Sequence, residues 1–258
     1  MLLFNNKNLI YKYAPVNGYT LKNLILKKLW FNQVNQVNDV QEGLITFVNP
    51  DFKPSKKAIA NFIKKYNLEK DYVNNFLKNF DFVRFYRRHW RVFEISKYRI
   101  SCFSKNNNGP LMWAHYADRH KGICLVYDRN ILLKNIRVGN PDVDFMTVVY
   151  GAKPNVALLE NNNTISFEAD KQIISTKDKI WRYEKEVRLF YEVPINSDEQ
   201  SLPIGASPLK AIIYGANIPN DDRDAVSEII LKDFEYSNVL EFSSYINSST
   251  GNISIEKD

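Results

Sequence analysis

Glycine is scarce in this chain, and its nine glycines form neither of the common phosphate-binding loops. No two of them have the spacing of GxGxxG or GxxxxGK, so a Rossmann dinucleotide site and a P-loop are both excluded. The motifs HExxH and GxSxG are absent as well, which leaves zinc-protease and α/β-hydrolase mechanisms without their residues. Any nucleotide that this protein handles must therefore be bound by other means.

Cysteine, histidine and long apolar runs are also sparse. Cys102 and Cys124 lie in apolar segments outside any CxxC pair, so we expect buried thiols and neither a disulfide framework nor a zinc site. His115 and His120 are separated by about 140° on a helix, so no metal site is predicted. No apolar run approaches the ~18 residues needed to cross a bilayer, and polar residues interrupt the N-terminal segment. We therefore expect a cytoplasmic protein without a membrane partner.

The apolar content is ample for one large core, because 45% of the 258 residues are hydrophobic and 14% are aromatic. A strand at 9–15 and a helix capped by Thr20 come first, followed by a helical insert at about 54–98 and then by mixed strands and helices. Among these, the apolar run GICLVYD at 122–128 predicts a strand buried on both faces, and residues 165–181 predict a helix. This order predicts an α+β fold with a mixed, mainly antiparallel twisted sheet and flanking helices. We expect a single domain over residues 1–245 and a flexible tail at 246–258.

The segment NGPLMWAHYADRHKGIC, residues 108–124, places two of the three histidines in an aromatic helix. Pro110 suits the first helical turn and Gly122 a position beyond the end, which predicts a helix from about Pro110 to His120. At ~100° per residue the helix has two sides: Met112, Trp113, Tyr116 and His120 on one, and Leu111, Ala114, His115 and Asp118 on the other. Either this is a core helix, or one face lines a pocket and stacks a planar ligand.

The segment DFVRFYRRHWRVF, residues 81–93, predicts a helix with an almost pure arginine face. Spacing of i, i+3, i+4 and i+7 gathers four arginines within about 100°: Arg84, Arg87, Arg88 and Arg91. Guanidinium groups pair well with phosphate oxygens, so this face is a candidate nucleic-acid interface. The alternative is a stripe paired with acidic residues elsewhere in the fold.

The segment WRYEKEVR, residues 181–188, carries two carboxylates at alternate positions. If a strand begins here, Glu184, Glu186 and Arg188 project from one face. Adjacent carboxylates repel unless a cation or substrate lies between them, and Arg188 is the local partner. The pattern indicates either a ladder of surface ion pairs or a catalytic pair. In the second case one carboxylate stabilises developing positive charge while the other orients or deprotonates an acceptor, as in glycosyl transfer.

Together these segments resemble the bacterial DUF2971 family. The resemblance is carried by YKY at 11–13, LKKLWF at 26–31, the run from SCFS through LMWAHYADRHKGICLVYD at 101–128, and WRYEKEVR at 181–188. At residues 38–43 this chain has NDVQEG, where the family usually has NDP followed by an aromatic and an acidic residue.

A more distant likeness implies more chemistry. A first strand with an aromatic or basic residue, a helix, a Ser/Phe strand and a late E-x-E strand are similar to the ADP-ribosyltransferase plan, which binds NAD without a Rossmann turn. The likeness implies Glu186 as the catalytic residue beside an oxocarbenium-like transition state and Glu184 as the residue that orients the acceptor. The first strand has YKY where that plan has Arg or His. The candidate catalytic residues are Glu186, Glu184 and His115, and the candidate NAD-binding residues are Tyr11, Tyr13, Ser104, Trp113, Tyr116, His120, Lys121, Tyr183 and Arg188.

Three functions stay open on these grounds. The first is an NAD-utilising ADP-ribosyltransferase-like or NAD glycohydrolase-like enzyme of a bacterial defence or toxin system, with nucleic acid or a protein as acceptor. The second is a nucleic-acid-binding protein or nuclease that uses the arginine face, and the third is a non-catalytic regulatory or scaffold protein. The net charge of +6 favours anionic partners.

Overall fold

The computed structural model describes residues 3–39, 43, 45–93, 95–167, 170–194 and 197–258. The strands are β1 Leu9–Ala14, β2 Lys28–Trp30, β3 Asn32–Gln33, β4 Thr46–Phe47, β5 Tyr98–Ser104, β6 Ile123–Asp128, β7 Asp144–Thr147, β8 Val149–Tyr150, β9 Asn155–Val156, β10 Leu158–Asn161, β11 Thr164–Phe167, β12 Thr176–Lys177, β13 Glu186–Glu192, β14 Ser201–Pro203, β15 Leu209–Tyr214, β16 Leu240–Ile246 and β17 Ile253–Lys257. The α-helices are α1 Gly18–Ile25, α2 Lys56–Lys65, α3 Lys70–Asn79, α4 Phe82–Phe93, α5 Pro110–Tyr116, α6 Arg129–Arg137, α7 Asp170–Ser175 and α8 Asn220–Lys232. Single 3-10 turns lie at Leu3–Asn5, Val34–Gln36, Ile95–Lys97 and Phe234–Tyr236, and a longer 3-10 helix at Lys179–Glu184.

Among the described residues, nine strands form the main sheet, in the order β17, β16, β15, β6, β1, β5, β13, β7, with β3 paired to β5 beside this path. β15 and β16 run parallel, and the other neighbours in this sheet are antiparallel. The remaining strands form four small two-stranded pairs around it. The predicted α+β class with a mixed, mainly antiparallel sheet is therefore confirmed.

Apolar packing on both faces of this sheet explains the composition of its central strands. In β6, Ile123 and Leu125 join a cluster with residues of α1, α6 and α8, while Cys124 and Val126 join a second cluster on the other face beneath α5. A strand buried on both faces is apolar at successive positions and does not alternate with polar residues.

The helical insert, α2 to α4, has its own apolar cluster and covers the part of the sheet made by β5 and β13. Ile100 and Phe190 on those strands pack with Phe62, Phe82 and Phe85 of the insert. The polar residues Glu186 and Arg188 lie on the same side of β13 as Phe190, because side chains two positions apart share a face. The sheet face beneath the insert is thus apolar at one end and charged at the other.

Several predicted boundaries are wrong. The helix that begins at Pro110 ends at Tyr116, because Asp118, Arg119 and His120 adopt positive φ values of 42°, 54° and 69°. The chain then passes so close to β1 that a Cβ on Gly122 would lie 2.2 Å from the carbonyl oxygen of Ala14. A left-handed turn therefore replaces the last predicted helical turn.

Other corrections concern caps, one long predicted helix and the tail. Asn17 caps α1 in place of Thr20, its side chain accepting a hydrogen bond from the Thr20 amide at 3.0 Å. Residues predicted as a helix at about 165–181 form β11, α7, β12 and a 3-10 helix. The predicted flexible tail contains β17, which pairs with β16 and buries Ile253. In the described part of the chain, no helix is long and apolar enough to cross a membrane.

Candidate functional site

The sheet opens between β1 and β5, and a cavity lies at that opening. Among the described residues, the two strands pair only at Tyr11 and Ser104. Further along the same edge of β5, Ile100 and Arg99 pair with β3 instead. The cavity has a volume of about 210 Å³. The side chains on which its chemistry depends are Tyr11, Lys12, Tyr13, Cys102, Ser104, Tyr116, Lys177, Glu184, Glu186 and Arg188. The cavity is called the cleft below.

A chain of alternating charges forms the β12–β13 wall of the cleft. Lys177 Nζ lies 2.7 Å from Glu184 Oε2 and 3.3 Å from Glu186 Oε2. Arg188 binds Glu186 through two hydrogen bonds, from Nε to Oε1 at 2.8 Å and from the second guanidinium nitrogen to Oε2 at 3.0 Å. All four side chains are buried, with 0 to 6% of their surface exposed. Two cations and two carboxylates therefore neutralise one another inside the protein.

The backbone brings the two glutamates together in a way that the sequence pattern did not predict. Glu184 is the last residue of the 3-10 helix, Lys185 has a φ of 45°, and only Glu186 begins β13. The two carboxylates are therefore not successive residues on one strand face, which corrects that expectation. They meet because Lys177 lies between them and because Ser104 Oγ holds the Glu184 carbonyl at 2.6 Å.

The surroundings shift the pKa values of the two carboxylates in opposite directions. Burial alone raises the pKa of Glu186, but the Arg188 guanidinium and Lys177 outweigh burial and lower it from 4.5 to about 2. Burial dominates at Glu184 and raises its pKa, although Lys177 opposes the shift. Glu186 is thus a fixed negative charge at neutral pH, whereas Glu184 holds a proton more readily.

Aromatic residues of β1 and α5 form the opposite side of the cleft. The Tyr116 hydroxyl donates a short hydrogen bond to Glu184 Oε1, and the Tyr13 hydroxyl donates to the Asn106 carbonyl at 2.8 Å. Trp113 is fully buried beneath Tyr13, with its ring edge-on at 5.1 Å. Trp113 and Tyr116, predicted on one face of α5, therefore have different surroundings: Trp113 packs in the core, whereas Tyr116 reaches the cleft.

Five predicted site residues do not line the cleft: Trp113, His115, His120, Lys121 and Tyr183. His115 and Lys121 are exposed, and His115 packs against Tyr183 with ring centroids 6.1 Å apart. His120 lies in the left-handed turn and stacks parallel to Trp113 at 6.5 Å. The expected convergence of His115 with the glutamates is therefore not found, and no catalytic contact is assigned to these five residues.

Lys12 and Lys177 are cleft residues that the sequence pattern did not indicate. Lys177 precedes Glu184 by seven positions, but Lys177 lies in β12 and Glu184 in the following 3-10 helix, so no single helix or strand relates the two residues. Side chains alternate along β1, so Lys12 is on the opposite face from Tyr11 and Tyr13, and the pattern did not predict that all three line one site. In the structure Lys12 reaches the cleft through the opening between β1 and β5.

The predicted arginine face is exposed on α4 at Arg84, Arg87 and Arg88. The Arg84 guanidinium lies 5.0 Å from the Phe80 ring and that of Arg87 lies 5.4 Å from the Phe47 ring. No described carboxylate is within 4.0 Å of these three guanidinium groups, so the alternative of a paired stripe has no support there. The Arg91 side chain lies outside the described residues.

One comparison with known proteins finds a family model that matches part of the chain. The model of the family described as "Protein of unknown function (DUF2971)" matches residues 112–189. No curated protein and no solved structure matches the chain. The matched segment includes Tyr116, Lys177 and both glutamates of the charged wall. Over residues 112–189, the predicted resemblance to the DUF2971 family is therefore confirmed.

Proposed function

We propose that the cleft is the active site of an NAD-utilising enzyme of the ADP-ribosyltransferase or NAD glycohydrolase type. The observation that carries the proposal is the convergence of Tyr11, Tyr13, Ser104, Tyr116 and the E-x-E pair on one cavity at an opened sheet. The three strands that the ADP-ribosyltransferase likeness singled out, β1, β5 and β13, are also neighbours in the sheet. The absence of glycine-rich phosphate loops fits a cleft of this kind.

The proposed reaction breaks the bond between the ribose C1′ and the nicotinamide nitrogen of NAD. The bonding electron pair leaves with nicotinamide, which gives an oxocarbenium-like carbon that the fixed Glu186 carboxylate stabilises. Water or an acceptor attacks that carbon, and its proton passes to Glu184, whose pKa burial raises so that it accepts a proton more readily than Glu186 does. The cleft volume of about 210 Å³ is below the ~300–1,000 Å³ of a complete ligand pocket, so the cleft holds one end of NAD.

Nicotinamide release from NAD by the purified protein tests this proposal, with and without candidate protein and nucleic-acid acceptors. Glu186→Gln removes the charge that stabilises the transition state, so we expect kcat to fall by about 10²-fold or more. Glu192→Gln is the matched control, because Glu192 is on the same strand and exposed. Absence of both NAD binding and nicotinamide release under every acceptor condition would overturn the proposal.

A second candidate function is nucleic-acid binding by the helical insert. Residues 54–93 contain ten lysines and arginines against three acidic residues, whereas the rest of the chain has 25 against 26. Nine of the ten are described, and all nine are exposed: Lys56, Lys57, Lys64, Lys65, Lys70, Lys78, Arg84, Arg87 and Arg88. The excess positive charge of the protein is thus concentrated on one subdomain, which favours a polyanionic partner.

The salt dependence of nucleic-acid affinity separates specific phosphate contacts from general attraction. Replacing Arg84, Arg87 and Arg88 by Gln removes up to three phosphate contacts, so the slope of log K against log salt should become shallower by about 0.9 per contact on duplex DNA. Replacing three exposed lysines outside the insert, Lys7, Lys22 and Lys134, removes the same charge and should leave most of the slope. Equal slopes in the two triple variants would remove this second function.

A further inference from the structure

The cleft contains one cationic side chain more than its carboxylates can neutralise. Its walls hold three cationic side chains, Lys12, Lys177 and Arg188, and two carboxylates, Glu184 and Glu186. Both carboxylates already bind Lys177 or Arg188 at 2.7 to 3.3 Å. Within the described ranges, no carboxylate lies within 4.0 Å of Lys12 Nζ. The charge of Lys12 is therefore the one without a counter-charge in contact.

The hydrogen bonds of Lys12 are all to neutral groups. Its Nζ donates to Ser101 Oγ at 3.0 Å and to the Cys102 carbonyl at 3.3 Å, and it lies 5.2 Å from the centre of the Phe103 ring. These contacts hold the ammonium at the place where β1 and β5 separate, and they account for two of its three N–H donors. One N–H remains for a ligand in the cleft.

Lys12 is partly removed from water, and an ammonium desolvated without a counter-ion raises the free energy of the folded protein. Burial accordingly lowers the pKa of Lys12, an effect that Cys102 and Glu186 only partly offset. An anionic ligand group would remove that penalty on binding. The neutral amide side chains of Asn32, Gln36 and Asn38 also line the cleft and can donate to the same anion.

We infer that Lys12 is the anion-binding residue of the cleft and that the group it binds is a phosphate of the ligand. The inference rests on the proposed function only in taking the cleft as a ligand site. It adds a residue that no pattern assigned and a ligand class, a phosphate ester or pyrophosphate, whose charge completes the balance of the cleft. Lys12 is a binding residue in this scheme and does not touch the bond that breaks.

Calorimetric titration with inorganic pyrophosphate and with ADP-ribose tests the inference, with adenosine as the ligand that lacks phosphate. We expect Lys12→Met to weaken the affinity for both phosphate ligands by tenfold or more, and Lys12→Arg to retain it within about threefold. Lys22→Met, at an exposed lysine of α1, should bind as the wild type does. Unchanged pyrophosphate affinity in Lys12→Met, or no binding of either phosphate ligand by the wild type, overturns the inference.

Lysine acetylation of the wild-type protein gives a test that does not depend on how a variant folds. Mass spectrometry should show that saturating pyrophosphate slows acetylation of Lys12 by tenfold or more and leaves Lys22 unaffected. Equal rates at Lys12 with and without pyrophosphate contradict phosphate binding there. The two proposals can fail separately. Protection of Lys12 by pyrophosphate without nicotinamide release would support phosphate binding but not the enzyme. Nicotinamide release without protection would support the enzyme but not phosphate binding by Lys12.

Discussion

The two walls of the cleft treat their lysines in opposite ways. On the β12–β13 wall, Lys177 lies between Glu184 and Glu186, and Arg188 completes a neutral group of four buried charges. On the β1 wall, Lys12 is held by a hydroxyl and a carbonyl and has no carboxylate within 4.0 Å among the described residues. The charges of the β12–β13 wall balance one another without a ligand. The charge of Lys12 is balanced only when an anion binds, so a ligand changes the electrostatics most at the β1 wall.

Removing Lys177 should have the largest effect on stability. Lys177→Met leaves two buried carboxylates facing each other without the cation between them, and breaking such a pair costs about 3–5 kcal/mol. Urea unfolding should show this loss, while Lys179→Met, at an exposed neighbour, should change the free energy of unfolding by less than about 0.5 kcal/mol. A loss in Lys177→Met no larger than in the control would show that this wall is not a buried ionic group.

Acid should weaken the same wall over a defined range. The pKa of Glu186 is about 2 in the folded protein against an ordinary value of 4.5, so its ionised form stabilises the fold above about pH 4.5. That contribution, about 3 kcal/mol at most, should be lost as the pH falls from about 4.5 to about 2. The stability difference between wild type and Glu186→Gln measures this contribution together with the effect of Glu186 on Glu184, whose pKa the Glu186 charge raises. A stability difference that stays constant over this range would contradict the assignment.

Replacing Lys12 should have the smallest effect on stability. Lys12→Met removes an ammonium that has no contacting counter-charge and keeps most of the side-chain volume. The loss of two hydrogen bonds to neutral groups, about 1 kcal/mol each, is offset by relief of the desolvation penalty. The free energy of unfolding should therefore stay within about 1 kcal/mol of the wild type, in contrast to Lys177→Met. A loss equal to that of Lys177→Met would remove the distinction between the two walls.

The parts of this protein that follow local periodicity could be predicted from its sequence. The uninterrupted apolar run of β6 indicated a strand buried on both faces, and the arginine spacing of α4 indicated an exposed basic face. The sequence left open which face of α5 lines a pocket, and the structure shows that Tyr116 contacts Glu184 there. For β6 and α4 the signal was a repeat of the helix or strand period.

The parts that depend on tertiary contact could not be predicted in this way. The left-handed residues Asp118 to His120 contain no glycine, so nothing local marked the end of α5 at Tyr116. Lys177 meets the glutamates through a two-residue strand, and Lys12 reaches the cleft only because β1 and β5 separate. An opening in a sheet is a property of three strands together, which a single strand sequence does not encode.

The structure of the protein with bound ADP-ribose tests the division of the cleft most directly. We predict a phosphate oxygen within hydrogen-bonding distance of Lys12 Nζ and the terminal ribose beside Glu186, with Lys177, Glu184 and Arg188 in unchanged contact. ADP-ribose bound elsewhere, or bound in the cleft with its phosphates away from Lys12, would contradict the account.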